Sequence, residues 1–301
     1  MSRTYTATGI NLKGIPFGES DRLLTILTPE LGLIRAIASG ARKPRSKLGG
    51  HSELFIVNQL LLYKGRSLDR ITQAETLKSY RGLSQNLGKL AASQYLAEIV
   101  LSVALSEHPQ EELFLLLNEH LDRLEHLPNT PQIETITAII AYLTHGMFHL
   151  LAWTGFVPQV QRCCLTQRPL SANFTDPRWR VGFSLEAGGV FSLEARDRQI
   201  LDSSVGSRVP LHVKLSAAQL AILQRLAHPR LHDEFESELN SQQINSQHRD
   251  ATVTPNLISL SDWVSVEHLL RQYAEYHLGR SIRSATLIDT YVEQFQLSYS
   301  F

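Results

Sequence analysis

The stretch DRLLTILTPELGLIRAIAS, residues 21–39, decides the fold of the first part of the chain. It contains two runs rich in leucine, isoleucine and threonine, Asp21–Thr28 and Leu33–Ser39, on either side of Pro29-Glu30-Leu31-Gly32. Proline and glycine within these four residues are typical of a turn. Two strand-like runs joined by such a turn predict a β-hairpin.

Similar runs lie on both sides of this hairpin. Tyr5–Lys13 precedes it, and Phe55–Lys64 and Leu68–Glu75 follow it, with Gly65-Arg66-Ser67 between them. Five short strands separated by turn signals predict a small barrel of the OB type, a fold whose open face binds oligonucleotides. We therefore expect an N-terminal OB-fold nucleic-acid-binding domain over residues 1–81.

The segment GARKPRSKLGG, residues 40–50, is named the basic loop here. It carries four cations, Arg42, Lys43, Arg45 and Lys47, between glycines. Such a loop bends easily around a phosphate backbone, and each phosphate that it neutralises releases a counterion. A solvated basic turn is the alternative explanation, because runs of charge are often only solvated surface.

The distribution of charge favours the first explanation. The whole chain has 29 basic and 29 acidic side chains, but residues 1–81 hold 13 basic and 6 acidic ones, a net charge of +7 that leaves −7 for the remainder. A basic barrel with a basic loop is typical of nucleic-acid binding. The predicted nucleic-acid-binding residues are Arg35, Arg42, Lys43, Arg45, Lys47, Arg66 and Arg70.

Three aromatic residues of the same region are candidates for base stacking: Phe17, Tyr63 and Tyr80. A stacked base typically contributes about 1–3 kcal/mol. Packing in the barrel core is the alternative for each of them.

From Leu83 onward the apolar period changes from that of strands to that of helices. The first helix is predicted to be capped by Ser84 and to end at His108-Pro109. Glu111 lies in the first turn of a second helix, and a third runs from about residue 131 to 154, with Gly155 as its stop. These three helices predict a bundle over residues 82–155.

The remainder is mixed. Residues 156–210 predict a small insertion with strand-like runs at Val181–Leu185 and Val190–Leu193. Helices are predicted at Ser216–Ala227 and Asp262–Leu278 within residues 211–301, with a polar loop at 236–255 between them. The expected fold class is therefore α+β and multidomain.

Residues 135–157 contain no charged side chain and are long enough to cross a membrane. His145, His149 and several threonines interrupt the stretch, and no basic cluster flanks it, so we expect a buried helix and no membrane. The N-terminus lacks the apolar core of a signal peptide, and the two cysteines, Cys163 and Cys164, are adjacent. Because adjacent cysteines cannot form a disulfide framework, we expect a cytoplasmic protein.

No enzyme signature is present. GxxxxGK[ST], GxGxxG and GxSxG are all absent from the sequence. His145 and His149 share the spacing of a zinc protease but lack its glutamate, and Pro229 separates His228 from His232. Glu111 and Glu112 point apart on a helix and suit its first turn better than acid–base chemistry. We therefore expect a protein without catalysis and interpret these histidines as packed helix or surface-loop residues.

Several short motifs, in order and spacing, resemble the RecO recombination-mediator family of DNA-repair proteins over nearly the whole chain. They are Gly18–Leu24, Thr28–Gly32, Gly40–Lys43 with Ser46, Gly155–Pro158, Gly188-Gly189, Tyr273–Gly279 and Arg283-Ser284.

The resemblance implies an OB-fold, a helical domain and a zinc-ribbon-like insertion, with no catalytic site. It also implies binding to single- and double-stranded DNA, annealing of complementary strands, and association with the nucleoid when bound. The implied partners are RecR, the acidic C-terminal tail of the single-strand-binding protein and, indirectly, RecA, which the family helps to load. By position, Arg35, Arg42, Lys43, Arg45 and Lys47 would contact DNA.

The sequence departs from the family in its zinc ligands. Many relatives carry two CxxC pairs in the insertion, a set that suits tetrahedral zinc. Here Cys164 could take a first-pair position, but Gln167 stands three residues later and Phe191–Ala195 contains no cysteine. We expect no zinc, and an insertion held together by Phe183, Leu185, Val190, Phe191 and Leu193.

A second departure lies at His51–Phe55, where relatives often have a proline before the phenylalanine. It leaves undecided the residue at which the predicted strand Phe55–Lys64 begins. Two other functions also stay open at this stage. One is a protein-interaction adaptor whose basic loop meets an acidic peptide, and the other is an RNA-binding OB-fold protein without annealing activity.

Overall fold

The computed structural model describes residues 3–201, 209–229, 231 and 258–298. The polar loop predicted at 236–255 lies outside the described residues. The chain divides into two compact units, residues 1–130 with 282–301 and residues 131–281. The boundaries predicted from sequence, after residues 81, 155 and 210, differ from this division and stay predictions.

The first unit begins with a five-stranded closed barrel whose strands follow the order β1-β2-β3-β5-β4. All neighbouring strands are antiparallel except β3 and β5, which are parallel. The predicted OB-type barrel is confirmed. Its strands are β1 (Thr4–Phe17), β2 (Asp21–Thr28), β3 (Gly32–Ala38), β4 (Ile56–Tyr63) and β5 (Asp69–Ser79).

Small and large side chains alternate in the barrel interior. Ala36 and Ala38 on β3 are fully buried against larger residues such as Leu24, Ile26 and Leu60. Alanines on one strand leave room for leucines and isoleucines from the others, which is how a narrow barrel fills its centre at close packing.

A β-bulge in β1 decides which of its residues face outward. The register with β2 shifts between Asn11 and Lys13, so Leu12 is an extra residue. Because side chains alternate with a period of two, one extra residue exchanges the two faces beyond it. After the bulge, Lys13, Ile15 and Phe17 point outward.

Two helices follow the barrel, α1 (Leu87–Val103) and α2 (Glu111–His126). The predicted Ser84 cap is wrong: the Asn86 side chain accepts hydrogen bonds from the Gly88 and Lys89 amides at 2.9 and 3.2 Å. Ser84 lies in a 3-10 turn, Arg81–Gln85, and donates to a carbonyl there. Asn86 is better placed because its backbone is extended immediately before the first helical residue.

Helix α1 also ends earlier than the predicted His108-Pro109. The chain after Val103 is extended and pairs with the β2–β3 turn, where Leu33 N donates to Leu105 O and Glu107 N donates to Leu31 O, both at 2.9 Å. These bonds satisfy backbone groups that a longer helix would have used internally.

One face of α2 is bonded to the end of the barrel. Lys78 forms an ion pair with Asp122, the Tyr80 hydroxyl donates to Asn118 Oδ1 at 2.9 Å, and Glu125 accepts from the Gly82 amide at 2.8 Å. Positions 118, 122 and 125 lie on one side of a helix. Barrel and helix are therefore one compact unit.

A last helix, α7 (Ala285–Ser298), completes the first unit and was not predicted. It packs on α1, and the Glu98 carboxylate accepts hydrogen bonds from the Ser284 and Arg283 amides at 2.7 and 3.0 Å. Glu98 thereby occupies backbone donors at the helix start, which have no partner within the helix itself.

The second unit contains helices α3–α6 and a small sheet in the order β7-β6-β8. Of the predicted three-helix bundle, α3 belongs to this unit, whereas α1 and α2 belong to the first. Ser216 and Ser259 cap α5 and α6, and Gly279 ends α6 with a φ of +66°. The elements are α3 (Ile133–Trp153), β6 (Val181–Ser184), β7 (Gly189–Phe191), α4 (Leu193–Leu201), β8 (Val213–Leu215), α5 (Ala217–Leu226) and α6 (Leu260–Leu278).

Helix α3 contains most of the charge-free stretch 135–157 noted in the sequence. By length and composition it could cross a membrane, but 78% of its most apolar window is buried inside the protein. Such burial is what the core helix of a helical domain shows. The structure therefore gives no indication of a membrane.

Candidate nucleic-acid interface

The outer surface of the barrel has a covered half and an open half. Ile10 and Leu27 lie opposite each other on β1 and β2 and are fully buried, where α1 packs near β1 and α2 near β2. Beyond the bulge the same face has exposed side chains at Lys13, Ile15 and Arg35, although Leu23 between them is buried. We name this open half, formed by β1, β2, β3 and the beginning of β5, the outer face.

Strand register places cations in a row across the outer face. Lys13 is opposite Thr25, and Thr25 is opposite Arg35. Residues directly opposite each other point to the same side of a sheet. The predicted Arg35 therefore lies on the open surface, with Lys13 two strands away.

The next row combines apolar residues, a cation and an aromatic ring. Ile15, Leu23 and Ile37 are successive partners on β1, β2 and β3, and Ile37 is opposite Arg70 on β5. Arg70 is in turn opposite Tyr63, whose side chain is 39% exposed. The predicted Arg70 therefore lies beside an aromatic ring that is open to solvent.

The basic loop begins next to this face. Asp21 is opposite Phe17, the last residue of β1, and its carboxylate accepts a hydrogen bond from the Gly40 amide at 2.7 Å. Arg42 N donates to Ser20 O at 2.9 Å. Gly40 has a φ of +64°, which an L side chain adopts only with strain. These contacts fasten the basic loop to the β1–β2 turn and bring it close to Phe17, which is 39% exposed.

Two apolar residues anchor the basic loop in the barrel. Ala41 and Leu48 pack against the interior core, while all four cations between them are exposed. Within the loop, Lys43 N donates to Gly40 O at 3.0 Å and Ser46 N donates to Lys43 O at 3.2 Å. The loop is therefore a turn with an internal framework and four exposed cations, of which Arg42 donates from its guanidinium to Gly18 O and Glu19 O at 3.4 and 3.3 Å.

Two acidic groups of the barrel have partners other than the predicted cations. Glu53 is paired with Arg22 at 2.8 Å, and Asp69 accepts from the Tyr5 hydroxyl and, at 3.0 Å, from the Gly65 amide. Across the described ranges, none of the seven predicted cations forms a salt bridge with an acidic side chain. Uncompensated positive charge is what a phosphate backbone requires.

All seven predicted cations are exposed, and the structure divides them among three places. Arg35 and Arg70 lie on the outer face, and four cations belong to the basic loop. Arg66 lies in the turn between β4 and β5. Strand β5 begins opposite Ala36, which is the neighbour of Arg35. The three places therefore adjoin one another through the β3–β5 pairing and the β1–β2 turn.

Of the three candidate stacking residues, Tyr80 is excluded. It is 3% exposed, its hydroxyl donates to Asn118, and burial raises its pKa. It is a packing residue between barrel and α2. Phe17 and Tyr63 remain.

Sequence reasoning missed Lys13 and Ile15 as members of the face. It ended the first strand at Lys13, whereas β1 continues to Phe17. Leu12 also breaks the alternation that would have assigned these side chains to one side. The available signal was that apolar residues continue beyond Lys13, at Ile15 and Phe17.

In the zinc-ribbon-like insertion, the cysteine that contacts the segment around Ser192 is Cys163, whereas the sequence comparison placed Cys164 in a possible first-pair position. Ser192 N donates to Cys163 Sγ at 3.3 Å, and Thr166 stands three residues after Cys163. Burial opposes ionisation of the Cys163 thiol, but hydrogen bonds from Thr166, Ser192 and Leu165 outweigh it and lower its pKa.

The residues around Cys163 do not fit a structural zinc ion. The Ala195 amide donates to Ser192 Oγ at 3.4 Å, so positions 163, 166, 192 and 195 hold one thiol, two hydroxyls and a methyl group. Structural zinc needs four strong ligands, mostly thiolates and imidazoles. Phe183, Val190 and Phe191 are fully buried as predicted, and Leu185 and Leu193 are half-buried.

The histidine pair on α3 is packed within the second unit. His145 is fully buried, its Nε2 lies 2.9 Å from His228 O, and its ring centre is 4.0 Å from that of His149. This agrees with the interpretation of these residues as packed helix histidines. His232 lies outside the described residues.

Comparisons with known proteins agree with this architecture over nearly the whole chain. The family model described as "Recombination protein O N terminal" matches residues 1–80, and "Recombination protein O C terminal" matches residues 84–286. The chain is 55% identical over 312 residues to the DNA repair protein RecO of a Nostoc species, with 97% of both chains covered. It is 51% identical to that of Trichodesmium erythraeum, with 97% of this chain and 96% of the relative covered. The protein of Nostoc punctiforme is 53% identical, with 97% of both covered. The chain therefore belongs to the RecO family of DNA repair proteins.

Proposed function

We propose that this chain is a recombination mediator without catalytic activity that binds single-stranded DNA across the outer face and the basic loop. One observation carries the proposal: on an OB barrel, exposed cations without a salt bridge lie beside exposed aromatic rings, with Arg70 opposite Tyr63 and the basic loop fastened next to Phe17. Membership of the RecO family supports a role in DNA repair and recombination.

The two kinds of residue have different tasks. The cations contact phosphates, and each contact adds roughly 0.7 to the slope of log affinity against log salt for a single strand. The rings of Phe17 and Tyr63 offer a face to unpaired bases. Because a duplex keeps its bases stacked internally, the rings favour single strands over duplexes.

The framework of the basic loop supports tight contacts. Ala41 and Leu48 hold both ends of the cationic segment in the core. A loop that is ordered before binding loses less conformational entropy when it meets DNA. The loop therefore acts as a preformed clamp for the backbone beside the outer face.

The mediator steps are proposed from family membership. They are annealing of complementary strands, contact with the acidic tail of the single-strand-binding protein, partnership with RecR, and help in loading RecA. The net charge of −7 outside residues 1–81 supports protein contacts there. We further propose that the protein needs no zinc and that it acts in the cytoplasm, on the nucleoid.

The experiment that tests this proposal is a reconstituted loading assay. RecA filament formation is followed on DNA coated with the single-strand-binding protein, with RecR present. The variant Arg42→Ala, Lys43→Ala, Arg45→Ala, Lys47→Ala should abolish the stimulation seen with the wild type. A matched variant, with Arg81, Arg198, Lys214 and Arg280 changed to alanine, removes the same charge from exposed positions elsewhere and should retain it.

Two results would contradict the proposal. Equal stimulation by the loop variant would show that the basic loop does not hold DNA. Equal or higher affinity for RNA of the same sequence, without annealing of either nucleic acid, would favour the RNA-binding alternative.

A further inference from the structure

The segment FTDPRWR, residues 174–180, forms an exposed loop before β6 in the second unit and is named the arginine loop here. Phe174 is 48% exposed, Arg178 and Arg180 are exposed, and Trp179 is half-buried between them. The barrel site makes no use of this loop.

Hydrogen bonds fix the shape of the arginine loop. Asp176 Oδ1 accepts from the Arg178 amide at 2.9 Å, and Asp176 O accepts from the Trp179 amide at 3.0 Å. The Arg180 guanidinium donates to Pro177 O at 2.9 Å and to Trp179 O at 2.7 Å. The backbone of the loop and the Arg180 guanidinium are thus held in place before any ligand arrives.

The surrounding charge is positive and unpaired. Residues 156–185 contain one acidic side chain, Asp176, and its carboxylate is directed to a backbone amide. None of the cations of this segment forms a salt bridge with the acidic residues that the structure describes. All four of them are arginines, Arg162, Arg168, Arg178 and Arg180, and all are exposed.

The chemistry of arginine points to phosphate. Its planar fork donates two parallel hydrogen bonds to phosphate oxygens and stacks on bases. An exposed phenylalanine and a neighbouring tryptophan add surfaces on which unpaired bases stack. An acidic peptide would use the cations but not both rings.

We propose that the arginine loop is a second contact site for single-stranded nucleic acid, which holds the complementary strand during annealing. This inference rests on the proposed function. Annealing joins two polyanions that repel each other, so a chain that holds one strand on the barrel needs separate cations for the other. The arginine loop supplies them on the other compact unit of the same chain.

The test compares two variants of the full chain with the wild type. One carries Arg178→Ala and Arg180→Ala together, and the other carries Phe174→Ala. Anisotropy of a labelled oligonucleotide gives the affinity for the first strand, and fluorescence transfer between labelled complementary strands gives the annealing rate. We expect first-strand affinity to stay within about twofold and annealing to slow by about tenfold, as expected for loss of one strand's contacts. Calorimetric titration with a short oligonucleotide should show one strand bound per chain instead of two.

The control is Arg198→Ala, which removes an exposed arginine of the same insertion that pairs with Glu194. It should leave affinity, stoichiometry and annealing unchanged. Circular dichroism checks that each variant is folded.

The outcomes separate this inference from the proposed function. Wild-type annealing and stoichiometry in both arginine-loop variants would overturn the inference and leave the barrel site intact. If the arginine-loop variants lose binding to an acidic peptide but anneal DNA as the wild type does, the inference would also be overturned. Full first-strand affinity in the basic-loop variant would instead contradict the proposed function.

Discussion

Removal of the two exposed rings of the barrel should weaken DNA binding without changing its dependence on salt. Phe17 and Tyr63 are each 39% exposed, so more than half of each side chain is already packed on the protein. Less than half of each residue's surface is then open to a base. We therefore expect the lower part of the usual stacking range, about 1–2 kcal/mol for each substitution by alanine.

That energy corresponds to a loss of roughly 5- to 30-fold in affinity for single-stranded DNA. The salt slope should not change, because neither ring contacts a phosphate. Affinity for duplex DNA should fall less, since its bases are not available for stacking. Tyr63→Phe keeps the ring and should bind almost as well as the wild type.

The assay is fluorescence anisotropy of a labelled strand at several salt concentrations. Leu77→Ala is the matched control, because Leu77 is 55% exposed on β5 but lies at a register irregularity outside the rows of the outer face. Unchanged affinity in Phe17→Ala and Tyr63→Ala would refute the stacking role. A shallower salt slope in these variants would show that they disturb the cations instead.

Three further predictions concern stability and metal binding. Burial opposes ionisation of Glu98, but hydrogen bonds from Ser284 and Arg283 outweigh burial and lower the pKa of this carboxyl. The ionised carboxylate therefore stabilises the fold above its pKa in the unfolded chain. This stabilisation is lost as pH falls through the lowered pKa of the folded protein. Glu98→Gln should therefore lower stability by about 1 kcal/mol at neutral pH, and thermal melts should show the difference from wild type shrinking in acid; a constant difference would count against this account. Arg45 has a φ of +59°, so Arg45→Gly should raise the melting temperature slightly while it weakens DNA binding, whereas a fall in both would show that the loop needs the side chain for its structure. Replacing Thr166, Ser192 and Ala195 with cysteine should create a site with Cys163 that binds one zinc ion per chain by atomic absorption, while stoichiometric zinc in the wild type would refute the proposal that the protein needs none.

Local patterns were enough to predict the barrel. The five strand-like runs and their turns are short-range signals, and each of them became a strand. The seven predicted cations also proved to be exposed, because a charged side chain in a glycine-bounded loop or on the outer side of a strand has no reason to be buried.

The errors have a common origin in contacts between distant residues. Asn86 replaced Ser84 as the cap because the chain first makes a 3-10 turn bonded to Glu125 of α2. Helix α7 depends on Glu98, which is far away in sequence. The thiol of Cys163 accepts a hydrogen bond from the Ser192 amide, which belongs to another segment of the chain.

The outer face shows the same limit. Whether Lys13 and Ile15 point outward depends on the bulge at Leu12, and a bulge is defined only by the register with a second strand. Sequence alone identified the charges but not the rows in which they stand.

The most direct test of the central claim is the salt dependence of single-stranded DNA binding by the full chain and by the basic-loop variant. With Arg42, Lys43, Arg45 and Lys47 changed to alanine, the slope of log affinity against log salt should become shallower by about 2–3, from roughly 0.7 for each lost phosphate contact. The matched variant, with Arg81, Arg198, Lys214 and Arg280 changed to alanine, should keep the wild-type slope. An unchanged slope in the loop variant, or an equal change in both variants, would contradict the account.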